Sequence, residues 1–299
     1  MSGKKRIVVT GREGQVVRSL QERARSLADL ELVAIGRPEF NLADLSGISA
    51  VLASERPDAI ISAAAYTAVD KAEEEREEAF KVNSDAAGEI AKVAAALDIP
   101  LVHISTDYVF DGQKTGAYTE NDTTAPTGAY GQSKLLGEHA IHEQTQNFAI
   151  LRTSWVYSPF GKNFLLTMLR LAEDRNVISV VDDQIGNPTC ALDLAEAILA
   201  VTRNLMSSDS PEFRGVFHAA GNGSASWAEF ASYIFEASRR YGGPFAEVRR
   251  IRTSDYPTPA RRPANSRLAC TKLERVHGII LPSWKQSTEM VAKRVVTGR

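Results

Sequence analysis

The alternation of short apolar runs with longer amphipathic segments constrains the fold of this chain more than any other feature. In the first half, runs rich in Val, Ile and Ala are followed by segments whose apolar residues recur at helical spacing. Strands separated by helices of about ten or more residues build right-handed βαβ crossovers and a parallel sheet covered on both faces. The predicted strands are residues 6–10, 30–36, 58–65, 100–106 and 148–157. The predicted helices between them are residues 14–27, residues 74–99 and a helix that begins near Tyr130.

The pattern loosens after residue 157, where helices and short strands alternate less regularly. The sequence therefore predicts an α/β fold with a doubly wound, Rossmann-like parallel sheet and a smaller C-terminal substrate lobe. We expect residues 1–157 to form the dinucleotide-binding domain. Residues 158–299 should form mainly the substrate-binding lobe, with some elements returning to the first domain. The predicted elements of this second part are helices 163–175, 191–205 and 226–242 and a strand at 215–221.

Charge and cysteine content exclude several classes of function. The formal net charge of the 299 residues is −2, so nothing favours a nucleic-acid partner or an anionic membrane. Cys190 and Cys270 form no CxxC pair, which argues against a disulfide framework and fits a reducing cytoplasm. The N-terminal segment lacks the apolar core of a signal peptide, and no apolar run approaches the ~18 residues of a membrane span. We therefore expect a cytoplasmic protein with neither a nucleic-acid nor a membrane partner.

Two glycines follow the first predicted strand and open the first helix. Gly11 and Gly14 form a G-x-x-G turn, and Val17 stands where a third glycine often follows. Backbone amides at a helix N-terminus carry partial positive charge, and glycine lets a pyrophosphate approach closely. Glycines of a tight turn can also be purely structural. Their position at the end of the first strand favours a phosphate loop of a dinucleotide site.

The end of the second strand bears on which dinucleotide is bound. An acidic residue there would bind the adenosine ribose hydroxyls, but the sequence has Gly36 and Arg37 instead. A guanidinium beside a small residue attracts a ribose 2′-phosphate, so we expect NADPH to be preferred over NADH. The alternative is that Arg37 is only solvated. Asp44 and the adjacent Leu45 are spaced to contact the adenine edge.

A phenol and an ammonium lie one helical turn apart near the middle of the chain. Tyr130 and Lys134 are four residues apart and therefore share a helix face. A nearby ammonium stabilises phenolate and should lower the pKa of Tyr130, which could then donate a proton to a carbonyl oxygen. Such pairs also occur by chance. Thr106, at the end of the fourth predicted strand, places a hydroxyl beside the same cleft, so the three residues form a candidate acid site.

These motifs resemble those of the extended short-chain dehydrogenase/reductases. Within that superfamily, several long segments closely resemble the dTDP-4-dehydrorhamnose reductase family. The segments are AAAYTAVDKAE (63–73), STDYVFDG (105–112), YGQSKLLGE (130–138), RTSWVY (152–157), DDQIGNPT (182–189) and RRPANSRL (261–268). The resemblance spans nearly the whole chain. A 4,6-dehydratase fits less well, because Tyr108 stands where its acidic residue would follow Thr-Asp, and an epimerase does not account for the last two segments.

The resemblance implies reduction of the C4 ketone of dTDP-4-dehydro-6-deoxy-L-mannose (dTDP-4-dehydrorhamnose) to dTDP-L-rhamnose, with NADPH or NADH as hydride source. It implies that Tyr130 is the acid, that Lys134 binds the nicotinamide ribose and tunes Tyr130, and that Thr106 assists. The implied cofactor contacts, joined to those inferred above, are Gly11, Gly14, Gln15, Val16, Arg37, Asp44, Leu45, Ala65, Tyr66, Thr67, Tyr130 and Lys134. The implied substrate contacts are Thr106, Asp107, Trp155, Arg261 and Arg262.

Several alternatives stay open at the level of sequence. Arg261 and Arg262 can hold the dTDP diphosphate or belong to a solvated basic loop. His139 and His142 share a helix, but no third ligand follows at metal-binding spacing, so no metal site is predicted. Some relatives with this fold bind nucleotide as catalytically silent regulatory subunits of an unrelated synthetase. The sequence leaves open a homodimer and a divalent ion at such an interface.

Overall fold

The computed structural model describes residues 4–298. Residues 1–3 and 299 lie outside the described residues. The first three belong to the N-terminal segment, for which the sequence predicts no signal peptide. The strands are β1 Lys5–Thr10, β2 Leu30–Ile35, β3 Ala59–Ser62, β4 Leu101–Thr106, β5 Phe148–Thr153, β6 Val156–Tyr157, β7 Val177–Val181, β8 Ile185–Gly186, β9 Thr189–Cys190, β10 Gly215–His218, β11 Ala225–Ser226, β12 Glu247–Ile251 and β13 Asn265–Ser266. The α-helices are α1 Gln15–Ala24, α2 Leu45–Ser54, α3 Arg76–Phe80, α4 Ala86–Ala96, α5 Ala129–Gln144, α6 Phe164–Ala172, α7 Ala191–Ser207, α8 Trp227–Arg240, α9 Thr271–His277 and α10 Trp284–Thr297.

A six-stranded sheet in the order β10-β5-β4-β3-β1-β2 forms the centre of the fold. Every neighbouring pair in it is parallel, which confirms the predicted doubly wound α/β sheet. The chain changes direction across the sheet between β1 and β3, and such a switch point opens a crevice at the carboxyl ends of the strands. The ends of β1, β3 and β4 are therefore where a ligand is expected.

Two apolar clusters cover the two faces of this sheet. Ile7 and Val9 face α1 and α7, whereas Val8 between them faces α2, α4 and α5, as the two-residue period of a strand requires. All three side chains are fully buried, and each such burial stabilises the fold by about 1.5–3 kcal/mol. Strand β10 and helix α7 both lie beyond residue 157, yet both pack with this first sheet. The division of the chain at residue 157 stays a prediction.

A third cluster forms the core of the C-terminal lobe. Helices α6, α8 and α10 pack together there, with the parallel pair β7–β12 beside α8. Helix α8 begins with a capping box, in which Ser226 accepts from the Glu229 amide and Glu229 accepts from the Ser226 amide. Within residues 4–298, no helix combines the length and the apolar character that crossing a membrane requires.

The structure corrects two of the predicted elements. The single helix predicted over 74–99 is α3 and α4 joined by a π-helical segment, Lys81–Asp85. The strand predicted over 148–157 ends at Thr153, because Trp155 has a left-handed backbone with φ of 48° that a strand cannot hold. The chain resumes as β6, which pairs with β9 outside the main sheet.

Candidate active site

The turn between β1 and α1 has the shape of a phosphate loop. Gly11 adopts φ of 105°, and a Cβ there would lie 3.1 Å from Cγ2 of Val17. Val17 is buried beneath the loop, so the absence of a third glycine leaves the turn intact. A Cβ on Gly14 would meet no atom within 4 Å, so the N-terminus of α1 opens onto free space. The side chain of Gln15 turns toward the second lobe, where it accepts hydrogen bonds from Ser158 and Asn163.

A second arginine lies beside Arg37 at the end of β2. Arg37 is exposed, and its carbonyl oxygen accepts a hydrogen bond from Nη1 of Arg12 at 3.5 Å. The same Arg12 nitrogen pairs with Glu39 at 2.5 Å. Gly36 packs closely on the loop, because a Cβ there would lie 3.1 Å from the Arg12 amide nitrogen. Sequence reasoning missed Arg12, although its place between the two glycines of the loop could have identified it.

The segment predicted to contact adenine begins a helix. Asp44 is the N-cap residue of α2, and its carboxylate accepts a hydrogen bond from the Ser46 hydroxyl at 2.7 Å. This hydrogen bond lowers the pKa of Asp44. Leu45 is the first residue of α2 and packs against the apolar cluster beneath it. The adenine contact of both residues stays a prediction.

The loop after β3 is tied to helix α5 through a buried asparagine. Asn83, in the π-helical segment, accepts from the Tyr66 amide at 2.8 Å and donates to the Tyr66 carbonyl at 3.0 Å. Its amide nitrogen also lies 3.0 Å from the hydroxyl of Ser133 on α5. Asn83 therefore fixes the predicted cofactor residues Ala65, Tyr66 and Thr67 relative to the helix of Tyr130. This tie could not be predicted from the sequence, because residues 74–99 have helical spacing throughout.

Glycines on α5 permit its close approach to neighbouring backbone. A Cβ at Gly137 would lie 2.1 Å from the Asn83 carbonyl oxygen, and one at Gly131 would lie 2.2 Å from that of Tyr108. Neither position has room for a side chain. Helix α5 is therefore held directly against the π-helical segment and against the turn that follows β4.

Thr106 and Asp107 lie at the carboxyl end of β4. The Thr106 hydroxyl accepts from the Tyr108 amide at 3.2 Å and donates to Oδ1 of Asp107 at 3.1 Å. Burial raises the pKa of Asp107 to about 6, and hydrogen bonds from Ser266 and Thr106 oppose that rise. Oδ2 of Asp107 is buried and has no hydrogen-bond partner within residues 4–298. Asp107 therefore has one unsatisfied acceptor at the end of β4.

Tyr130 lies on the first turn of α5, with its ring edge-on to Tyr108 at 5.5 Å. Burial raises the pKa of Tyr130, and a hydrogen bond with Thr106 opposes the rise. The expectation that Lys134 lowers the pKa of Tyr130 is therefore wrong for this arrangement. The reason is that the ammonium points elsewhere: Nζ of Lys134 donates to the Ile104 carbonyl at 2.7 Å and lies 2.9 Å from Nε2 of His103. A phenol with a raised pKa remains protonated at neutral pH.

The same helix carries a buried ion pair one turn beyond Lys134. Glu138 accepts hydrogen bonds from Nε of Arg152 at 2.9 Å and from its Nη2 at 2.6 Å, and the two side chains are only 4% and 6% exposed. The hydroxyl of Ser105 donates to the same carboxylate at 2.5 Å. The pair thus joins α5 to both β4 and β5.

The aromatic residue predicted to pack on the sugar is part of a tryptophan stack. The rings of Trp155 and Trp227 lie parallel with centroids 3.6 Å apart. A Cβ on Gly186 would lie 2.5 Å from Cε2 of Trp155, so Gly186 closely contacts the indole. Trp155 is half-buried, and its sugar contact stays a prediction.

The C-terminal basic loop packs against the segment after β3 and the turn after β4. Nη2 of Arg262 pairs with Asp70 at 2.5 Å, and Nη1 donates to the Tyr108 hydroxyl at 3.2 Å. A Cβ on Gly112 would lie 2.4 Å from Cβ of Pro263, so the loop also contacts the turn after β4. Arg261 is exposed. The loop is thus brought to the candidate site, and the phosphate contacts of Arg261 and Arg262 stay predictions.

Two segments distant in sequence meet beside this loop. Strand β8, from DDQIGNPT, pairs with β13, from RRPANSRL, and Asn187 accepts from the Leu268 amide at 2.8 Å. Ser266 on β13 lies close enough to Asp107 to lower the pKa of its carboxyl, which places these segments beside the end of β4. The six motifs that carry the family resemblance are therefore linked to one another by direct contacts.

Comparison with known proteins identifies the family. The chain matches the RmlD substrate binding domain family over residues 5–297. It is 50% identical to the dTDP-4-dehydrorhamnose reductase of Sinorhizobium fredii over 283 residues, which cover 95% of each chain. The chain belongs to the dTDP-4-dehydrorhamnose reductase family. The Escherichia coli K12 reductase is 38% identical over 97% of this chain and 98% of its own. The Bacillus anthracis reductase, solved in complex with NADP, superposes with a TM-score of 0.89 at 35% identity, covering 96% of this chain and 98% of that one.

The turn after β1 fits a cofactor such as NADP, which is bound in the Bacillus anthracis structure. The free space at Gly14 leaves the amides at the N-terminus of α1 open to a pyrophosphate, and the left-handed Gly11 turns the chain away from it.

No group of three or more His, Cys, Asp or Glu side chains in the described part of the chain could hold a metal ion. A surface cavity of about 700 Å³ lies at the opposite end of the sheet, beside Phe148 and Gly215, and includes none of the candidate site residues.

Proposed function

We propose that this protein reduces the C4 ketone of dTDP-4-dehydrorhamnose to dTDP-L-rhamnose, with NADPH as the preferred cofactor and NADH as the alternative. The observation that carries the proposal is the placing of Tyr130 beside Thr106 and Asp107 at the carboxyl end of β4, in a chain so similar to known reductases of this substrate. The crevice between this point and the Gly11–Gly14 turn is where an open α/β sheet binds ligands.

The roles of the side chains follow from their protonation states. The chemistry that NADPH would supply when bound is transfer of a hydride to the carbonyl carbon. Tyr130, kept protonated by its raised pKa, donates its proton to the carbonyl oxygen as negative charge develops there. The Thr106 hydroxyl can hydrogen-bond the same oxygen once its one O–H turns away from Oδ1 of Asp107. Burial lowers the pKa of Lys134 to about 8, so it remains largely cationic at neutral pH and can hold the nicotinamide ribose.

The substrate is held by groups from both lobes. Asp107 offers its unpartnered oxygen to a sugar hydroxyl, and Arg261 and Arg262 would bind the diphosphate. The pairing of Arg262 with Asp70 supports this assignment, since it keeps the guanidinium at the crevice until a phosphate replaces the carboxylate. Gln15, Val16 and the loop of Tyr66 would contact the cofactor.

The direct test is a spectrophotometric assay. The purified protein is mixed with NADPH and dTDP-4-keto-6-deoxy sugar supplied by coupled upstream enzymes. We expect loss of nicotinamide absorbance in step with formation of dTDP-L-rhamnose. Detectable cofactor binding without any oxidation would instead favour the regulatory-subunit alternative, which the named relatives above do not support.

Cofactor preference provides a prediction for the two arginines at the end of β2. We expect Arg37→Ala and Arg12→Ala each to lower the ratio of kcat/KM for NADPH over NADH by about tenfold or more, because each removes a charge-assisted bond to the 2′-phosphate. The measurement is initial rate against each cofactor. Arg25→Ala, at an exposed position just after α1, is the matched control and should leave the ratio unchanged. Equal efficiency with both cofactors, unaffected by Arg37→Ala, would refute the preference.

Two further properties belong to the same proposal. We propose a cytoplasmic location, for which the low cysteine content is the support: Cys190 and Cys270 are both free thiols. A homodimer, which the sequence leaves open, is tested directly by sedimentation at micromolar concentration.

A further inference from the structure

A buried histidine on β4 is in direct contact with Lys134. His103 is 2% exposed, and its Nε2 lies 2.9 Å from Nζ of Lys134, which is also 2% exposed. Its other ring nitrogen, Nδ1, lies 3.0 Å from the hydroxyl of Ser62 on β3. His103 and Ser62 are register partners in the sheet, so the contact follows from the strand pairing. Neither residue is part of the site derived above.

The hydrogen-bond chemistry determines the state of the histidine ring. Lys134, when charged, has three N–H donors and no acceptor, so Nε2 of His103 must present its lone pair to the ammonium. The ring proton is then on Nδ1, which donates to the Ser62 hydroxyl. A neutral ring is the only state compatible with an adjacent ammonium. In agreement, burial and the charge of Lys134 hold the pKa of His103 well below its usual range.

The surroundings of the pair contain few other charges. On either side of His103 in the sheet are Ser62 and Ile150, which are neutral. Burial lowers the pKa of Lys134 to about 8, and the carboxylate of Glu138 on α5 opposes that fall. Tyr130 is the remaining titratable group on the same helix face. His103 is therefore the only side chain in residues 4–298 seen to hydrogen-bond the ammonium.

We propose that His103 is a positioning residue for the reduction, which accepts a hydrogen bond from Lys134 and so fixes the direction and the positive charge of its ammonium. The inference rests on the proposed function for its catalytic consequence. The Ile104 carbonyl and His103 take two of the three N–H donors. The third is left for the cofactor ribose. Without the histidine acceptor, the ammonium would be buried with one bond fewer, and its neutral form would be favoured.

Two polar substitutions separate this role from packing. In His103→Asn the shorter amide can reach Ser62 but not Lys134, whereas in His103→Gln the amide oxygen can reach the position of Nε2. We expect His103→Asn to lower kcat/KM by about 10- to 100-fold, as loss of positioning does. We also expect the alkaline limb of its pH profile to move about one unit to lower pH, because the Lys134 pKa falls. His103→Gln should keep kcat/KM within about threefold of wild type and the alkaline limb within about 0.3 unit, because its amide oxygen replaces the missing acceptor.

Binding of NADPH provides a readout that does not depend on turnover. Fluorescence titration with NADPH alone, from pH 7 to 9.5, should show weaker binding by His103→Asn and an earlier loss of affinity as the pH rises. If wild-type protein fails to turn over the sugar, the proposed function fails, and this titration still tests the histidine. His139→Asn, at an exposed position on α5, is the matched control and should behave as wild type. Equal losses in the Asn and Gln variants with an unmoved pH limb would overturn the proposal, as would wild-type behaviour of His103→Asn.

Discussion

Replacing Tyr130 with phenylalanine is expected to lower kcat by about 10²- to 10⁴-fold, the range that a positioned general acid contributes. The substitution removes only the phenolic oxygen. The ring would keep its edge-on contact with Tyr108, so the thermal midpoint should change little. NADPH affinity should also stay within about threefold, because Lys134 and the loop of Gly11 and Gly14 are untouched.

The control for this experiment is the same substitution at a distant tyrosine. Tyr241→Phe removes a hydroxyl that donates to Glu289 at 3.1 Å in the C-terminal lobe, and it should leave kcat unchanged. If Tyr130→Phe kept more than about a tenth of wild-type kcat, the acid would have to be another group. Asp107 would then be the next candidate, because burial raises its pKa to about 6 and one of its oxygens lacks a partner.

The parallel sheet could be predicted because its information is local. Each strand is a short apolar run, and each crossover carries its own helical period, so β1 to β5 were located within a few residues. The helix of Tyr130 and Lys134 was predicted for the same reason. The ends of strands β1, β3 and β4 converge in any doubly wound sheet, and the crevice follows from that rule alone.

The details of the site depend on contacts between distant parts of the chain. The pairing of Arg262 with Asp70 joins residues 192 positions apart, and no local pattern encodes it. Gly137 looks like a weak point in a helix until the carbonyl of Asn83 is found 2.1 Å from its missing Cβ. The pKa of Tyr130 was predicted with the wrong sign because helical spacing brings Lys134 to the same face, while His103 and Ile104 determine where its ammonium points.

Replacing Glu138 with alanine is expected to lower the free energy of unfolding by about 3–5 kcal/mol, the cost of leaving one partner of a buried ion pair uncompensated. Arg152 would remain charged, 6% exposed, with its Nη1 already lacking a partner within residues 4–298. Ser105 would lose its acceptor as well. Urea unfolding followed by tryptophan fluorescence and circular dichroism measures the change. Glu143→Ala, at an exposed position on the same helix, should change stability by less than about 0.5 kcal/mol.

A double variant distinguishes the cost of a stranded charge from loss of packing. Glu138→Leu combined with Arg152→Met replaces both charges with apolar groups, and it should recover most of the stability lost in Glu138→Ala. Equal instability of the single and double variants would mean that the pair is needed for its shape. The recovery should not extend to catalysis. Burial lowers the pKa of Lys134 and the Glu138 carboxylate opposes that fall, so the pKa should be lower still in the double variant. Even if that variant is stable, the alkaline limb of its pH profile should therefore move to lower pH than in wild type. Loss of one partner of this buried ion pair thus destabilises the fold, while its carboxylate also helps to keep Lys134 charged for the proposed chemistry.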